Sequence, residues 1–136
     1  MRGAEVTVTI WNKWRNQASG KDEWFRHVIP RCSWEHKAVR AVSGQTASVA
    51  SSICVLIDEN ALYRPPREWA GADKARFFTL GLGDLAALGA HTEEITGALP
   101  ESTLKQRLAP EVFTIRIVQD NTAGYKRGRH YYIEGV

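Results

Sequence analysis

The last third of the chain constrains the fold most, because a clear alternating strand is followed by turn residues and then by a second β-prone run. Phe113, Ile115 and Ile117 fall on one face of a strand over residues 113–118, with the two-residue period that strands require. The DNTAG stretch at residues 120–124 favours a turn. β-prone residues resume at 130–133, so the pattern predicts a long hairpin over residues 112–136.

The upstream sequence predicts strands that can pair with this hairpin. Val6, Val8 and Ile10 alternate in a first strand over residues 5–11, and a polar turn at 16–22 leads to a second strand at 23–29. Pro30 marks the end of that strand or a bulge, because proline has no amide hydrogen for the ladder. Further strands are expected at 32–42, 52–58, 77–80 and 85–88, the last two flanking a tight reversal at 81–84.

The middle of the chain is less regular. Residues 59–76 contain Pro65, Pro66 and Gly71 among charged side chains, which predicts an irregular excursion from the sheet. One short helix is expected over residues 100–109, with Pro100 in its first turn and Pro110 beyond its end. Residues 1–136 are thus predicted to form one all-β domain, a small barrel or sandwich of six or seven strands with long loops.

Composition places few limits on function. The 136 residues are 43% hydrophobic and 24% charged, with a net charge of +3, as in an ordinary globular domain. No apolar run approaches the roughly 20 residues of a membrane-spanning helix, and the start lacks a signal-peptide pattern, so we expect a protein of the reducing cytoplasm with no membrane partner. Neither Cys32 nor Cys54 has another Cys or a His nearby at the spacing of metal ligands, so we expect two buried thiols and no bound metal.

The sequence holds no recognisable catalytic or cofactor-binding set. Residues 81–86 (GLGDLA) match a loose dinucleotide fingerprint, but such a site needs a helix directly after the glycines, and the expected element there is a strand. The four histidines are scattered. No nucleophile lies in a strand–turn–helix elbow, so we predict a protein that is not an enzyme and binds no cofactor.

The clearest charge signal is a basic and aromatic segment near the end of the chain. It can be a nucleic-acid site that pairs cations with phosphates and stacks bases on rings, a solvated hairpin loop, or a docking edge for another subunit. The residues concerned are Lys126, Arg127, Arg129, His130, Tyr131 and Tyr132.

Several short motifs together resemble a family of small proteins encoded in the structural gene clusters of tailed bacteriophages. Its members share a T-I-x-N opening, a Tyr/Trp-x-Arg-x-x-Ile strand, an aromatic-T-L-x-x-G-D turn and a closing R-H-W/Y-x-V/I-x-G signature. The matching residues here are Thr9, Ile10, Asn12, Trp24, Phe25, Arg26, Ile29, Phe78, Thr79, Leu80, Gly83, Asp84, Arg129, His130, Tyr132 and Gly135.

The resemblance implies a structural role in the virion neck. Such proteins are similar to head-closure (stopper) and head-to-tail joining proteins, which form homo-oligomeric rings between the portal adaptor and the tail terminator or tail tube. The resemblance also implies weak contact with packaged DNA. The alternative is a small nucleic-acid-binding barrel that uses the basic C-terminal segment. We assign the subunit contacts to residues 59–76 and 126–132, in particular to Tyr63, Arg64, Arg67, Trp69, Lys126, Arg127, Arg129, His130, Tyr131 and Tyr132.

Overall fold

The chain folds into a closed antiparallel β-barrel of six strands. The computed structural model describes residues 5–43, 46–123 and 129–136, with the side chains of residues 38–50 outside the description. The strands follow one another around the barrel in the order β1-β2-β3-β6-β5-β4, and β4 pairs with β1 to close it. The elements are β1 (Val6–Asn16), β2 (Lys21–Ser43), β3 (Thr46–Asp58), α1 (Pro66–Trp69), β4 (Leu85–Leu88), α2 (Glu101–Leu108), β5 (Val112–Asn121) and β6 (His130–Gly135). The predicted all-β fold with a short helix at its predicted position is confirmed, and the barrel form is the one adopted.

The first hairpin is longer than the sequence suggested, and its second strand does not stop at Pro30. β2 continues for 23 residues, so the separate third strand expected from residue 32 is wrong. The pairing register of β1 and β2 shifts between Val6 and Val8, and Arg31 in β2 adopts a φ of 63°. Together these two features mark a bulge in β2. The bulge carries the proline, which cannot donate to the ladder, within a continuous strand.

The barrel interior is filled by aliphatic and aromatic side chains from all six strands. Alternation holds in β1, where Val8 and Ile10 point inwards. Residues 59–84 cover one end of the barrel and add Phe78 and Leu80 to its core. The expected strand at 77–80 is wrong, because the backbone there makes only an isolated bridge from Phe78 to Tyr63. The buried interior side chains are Val8, Ile10, Ile29, Cys32, Ile53, Val55, Ile57, Phe78, Leu80, Ala86, Phe113, Ile115, Tyr131 and Ile133.

A second apolar cluster lies on the outer face of β1, β4 and β5. It is centred on Trp11 and is covered by residues 89–99 and by α2, whose Leu104 is fully buried. The helix begins at Glu101 after Pro100 and ends at Leu108. Burial on both faces explains why β4 has small residues: Ala86 fills the interior and Ala87 the outer cluster, both without exposed surface.

The predicted C-terminal hairpin is confirmed, but its faces change part-way along β5. Phe113 and Ile115 are buried, whereas Ile117 is 42% exposed and Val118 packs against the core instead. The pairing with β6 shifts register between Ile115 and Ile117. A bulge adds one residue and moves every later side chain to the opposite face, so the predicted inward position of Ile117 is wrong.

Candidate interaction surface

Three of the motif residues, Asn12, Thr79 and Asp84, form a buried polar network. The side-chain amide of Asn12 donates to the Thr79 carbonyl oxygen and to Asp84 Oδ2, both at 2.7 Å. Its oxygen accepts the amide of Thr79 at 3.1 Å. The network therefore attaches β1 to the residues leading into β4, since every group in it would be costly to bury unpaired.

Asp84 is the charged centre of this network. Its carboxylate accepts the Lys13 and Gly81 amides at 2.9 Å, in addition to the Asn12 bond. The residue is only 3% exposed, and burial raises the pKa of Asp84 from 3.8 to about 6 although the three hydrogen bonds act in the opposite direction. The motif carboxylate is thus part of the buried structure, and three donors bond its two oxygens.

Two other motif residues, Thr9 and Arg26, attach a loop to the barrel. The Thr9 hydroxyl donates to the Gly89 carbonyl at 2.7 Å and accepts the His91 amide at 3.0 Å. The Arg26 guanidinium bonds Glu94 at 2.5 Å and the His91 carbonyl at 2.8 Å. These contacts hold residues 89–94 against β1 and β2, where Trp11 also donates to the Glu93 carbonyl at 2.9 Å.

Gly135 of the closing signature is required by a close backbone approach. A Cβ atom on Gly135 would lie 1.8 Å from the Thr114 carbonyl oxygen and 2.8 Å from the Phe113 ring. β5 and β6 could then no longer pair at their present distance. The glycine is a structural requirement of barrel closure.

Two of the predicted contact residues are buried in the chain itself. Trp69 is 3% exposed, packs edge-on against Trp14 and Phe25, and donates its indole N–H to the Phe77 carbonyl. Tyr131 lies in the barrel core. We therefore remove both rings from the assigned contact surface, because neither can reach a partner without opening the core.

Apart from Tyr132, the remaining predicted residues divide into three groups. Lys126 and Arg127 lie outside the described residues. Arg129 lies 3.7 Å from Glu59, and His130 is within 3.3 Å of the Asn121 amide. Tyr63, Arg64 and Arg67 belong to the segment that covers the barrel end.

Tyr63 connects that segment to the barrel. Its ring stacks on Tyr131 with centroids 4.2 Å apart and meets Phe78 at 5.8 Å. Burial raises the pKa of Tyr63 to about 12, with a further contribution from the Asp120 carboxylate. Arg64 lies over the Phe77 ring at 4.1 Å and donates to the Ala61 carbonyl at 2.8 Å, so it is fixed in place.

Tyr132 takes part in a polar cluster on the outer face of β3 and β6. Its hydroxyl donates to Glu134 and contacts the Cys54 sulfur at 3.2 Å, and Ser52 donates to the same carboxylate at 3.2 Å. These bonds and the nearby Lys37 lower the pKa of Glu134. Tyr131 is buried and is therefore unavailable for base stacking, whereas Tyr132 is partly exposed.

An apolar groove beside Tyr63 was missed by the sequence analysis. It encloses about 450 Å³ and is lined by Tyr63, Pro66, Leu80, Gly81, Leu82, Arg116, Ile117 and Val118. Leu82 is 71% exposed, the highest value among the large apolar residues described. Leu82, which lies between two turn glycines, was a sequence signal for the groove. The bulge that exposes Ile117 has no such signal in the sequence.

Within the described residues, no three His, Cys, Asp or Glu side chains are grouped so that they could hold a metal ion. None of the helices described is long and apolar enough to cross a membrane. Cys32 and Cys54 are both free and buried, as predicted. Residues 81–84 form a turn followed by β4, so the glycines do not precede the helix that a dinucleotide site needs.

The fold and surface define a small closed β-barrel protein with loops fastened by buried polar groups and an exposed apolar groove. Residues 4–136 match the model of a family of unknown function (DUF6751), and the chain belongs to that family. No curated protein and no solved structure matches the chain.

Proposed function

We propose that the chain is a structural component of the bacteriophage head-to-tail connector. In this role it forms a homo-oligomeric ring between the portal adaptor and the tail, as a head-closure (stopper) protein without enzymatic activity. It would act in the virion and assemble in the host cytoplasm. The proposal rests on the motif resemblance, and one structural observation supports it most: the projection of the β2–β3 hairpin beyond the barrel.

The projecting part, here called the arm, comprises residues 37–43 and 46–52. Pairing runs from Lys37 opposite Ser52 to Ser43 opposite Thr46. β1 pairs with β2 only as far as Cys32, and β6 pairs with β3 only from Ile53 onwards. The arm therefore has two strands and no third neighbour among the described strands.

An isolated two-stranded ribbon is marginally stable in water, because it has no second layer on which to bury a face. Seven residues of strand extend about 23 Å, which is enough to reach a neighbouring subunit. Both edges present backbone groups that another chain can pair with. Those properties suit a ring of identical subunits, where one patch meets a different patch on the next copy.

The segment at residues 59–76 is a poorer target for testing assembly than the sequence suggested. Its Trp69 is buried and its Tyr63 stacks on a core ring, so deleting it would open one end of the barrel. Shortening the arm avoids this difficulty. Lys37 and Ser52 face each other across the ribbon, so an Asn-Gly turn can replace residues 38–51 and leave the barrel intact.

The deciding experiment is quantitative mass spectrometry of purified phage particles, comparing whole virions with separated heads and tails. We expect the chain at a ring-like copy number and in the fraction that holds the head–tail junction. Complementation with the shortened-arm variant should yield heads and tails that do not join, although the purified variant keeps its β-sheet circular dichroism. Absence of the chain from the particles would refute the proposal.

A further inference from the structure

The groove beside Tyr63 is held open by the backbone around it. Gly83 has a φ of 93° and donates its amide to the Ile115 carbonyl at 2.9 Å. The Asp84 amide bonds the Gly81 carbonyl at 3.1 Å, which closes the turn. Leu82 at the tip of this turn is therefore fixed towards solvent.

The opposite wall is fixed in the same way by strand geometry. Ile117 follows the β5 bulge and points outwards with 42% of its surface exposed. Val118 and Leu80 form the floor that joins the two exposed side chains. Rigid, contiguous apolar surface of this kind is characteristic of interaction sites, since leaving it in water brings no stabilisation to the monomer.

The charges around the groove indicate what kind of partner fits. Arg116 is the cation that lines it, and burial together with the nearby Asp120 and Glu68 carboxylates raises the pKa of the Tyr63 phenol. No carboxylate lies within 4.0 Å of the Arg116 guanidinium in the part of the chain that the structure describes, whereas Arg26, Arg31 and Arg129 are all in ion pairs. An incoming carboxylate would therefore find one unpaired cation, Arg116, at the edge of an apolar surface.

A second copy of the chain fits this surface less well. The arm is the element proposed above for contacts between copies, and residues 37–52 include Lys37 and Arg40 but no Asp or Glu. Docking the arm would bring like charges together, which disfavours association. The arm is therefore not the complementary occupant, and we assign the groove to an acidic segment of a different protein.

We propose that this groove binds a short segment of another protein in which a large apolar residue is flanked by Asp or Glu. The apolar side chain enters between Leu82 and Ile117, and the carboxylate pairs with Arg116. This assignment concerns the surface alone and holds whether or not the chain is found in virions.

The test is selection of random displayed peptides on the purified chain, followed by fluorescence anisotropy with the most enriched peptide. We expect enrichment of peptides that place Leu, Ile, Phe or Trp beside Asp or Glu. Leu82→Asp should weaken binding at least tenfold, roughly the effect of losing one central interface side chain. Arg116→Glu should reverse the charge preference of the selected peptides.

Val28→Asp is the matched control, because Val28 is 43% exposed but does not line the groove. It should leave binding unchanged, and circular dichroism should show all three variants folded. Ile117→Asp gives an independent variant of the same wall. The proposal is overturned if no peptide is enriched, if enriched peptides lack acidic residues, or if Leu82→Asp binds as Val28→Asp does. It is also overturned if light scattering shows self-association that Leu82→Asp alone abolishes, since the occupant is then a second copy.

Discussion

Replacing Asp84 by Asn tests whether burial or hydrogen bonding controls the charge in the motif network. The carboxylate accepts the Asn12 side-chain amide and the Lys13 and Gly81 backbone amides, which favours its ionised form. Its 3% exposure favours the neutral form, because burial removes the carboxylate from water. Burial prevails, and it raises the pKa of Asp84 from 3.8 to about 6.

The size and sign of the pH effect follow from proton linkage. Because the pKa of Asp84 is higher in the folded chain, the folded state binds this proton more tightly than the unfolded state. The resulting stabilisation is complete below pH 3.8 and is lost as the pH rises through about 6. A difference of about two pKa units corresponds to roughly 3 kcal/mol of unfolding free energy. The Asn side chain in the Asp84→Asn variant does not titrate, so the stability of this variant lacks the pH-dependent contribution of residue 84.

Urea unfolding of both proteins at several values between about pH 4 and pH 7.5 measures the effect as a difference, in which the other titrating groups cancel. We expect the stability of the wild type relative to Asp84→Asn to fall by roughly 3 kcal/mol over this range. Glu68→Gln, at an exposed position, is the control and should show no comparable trend. An advantage of the wild type that grows with pH would refute the reasoning, because the three donated hydrogen bonds would then outweigh burial.

Two further substitutions probe barrel closure and the interior. Gly135→Ala should lower the unfolding free energy by roughly 3 kcal/mol or more, because the new Cβ would lie 1.8 Å from the Thr114 carbonyl oxygen. Gly97→Ala, with nothing within 4 Å of the added carbon, is its control, and equal melting temperatures for the two variants would contradict the clash. Burial raises the pKa of Cys32 to about 12, so in a Cys54→Ser background native Cys32 should react with maleimide at pH 8 at least about 1,000-fold more slowly than the urea-unfolded chain. Similar native and unfolded rates would mean that Cys32 is not held in the core.

The residues that match the phage-family motifs mainly stabilise the fold. Asn12 and Asp84 join β1 to the turn before β4, Thr9 and Arg26 hold residues 89–94, and Gly135 lets β5 and β6 approach. Such motifs can identify the fold without marking a functional surface. The arm and the groove are two described surface features available to partners, and most of the motif residues lie outside both.

Local pattern determined much of the fold. Alternation in β1 and β5 and the turn residues between the strands predicted an all-β domain with a C-terminal hairpin, because strand periodicity and turn chemistry are properties of neighbouring residues. Pro100 and Pro110 delimited the region of the one longer helix. The burial of both cysteines also followed from their isolation in the sequence.

Tertiary structure alone decided which of these residues are available to a partner. The bulge after Ile115 turned Ile117 outwards, and closure of the barrel end buried Trp69 and Tyr131, two rings that the sequence had assigned to contacts. A bulge changes every later face by a shift of one residue, and burial depends on which distant segment covers a side chain. The sequence by itself therefore determined the strands and their turns, while the groove and its unpaired Arg116 arose only when residues 63–66, 80–82 and 116–118 were brought together.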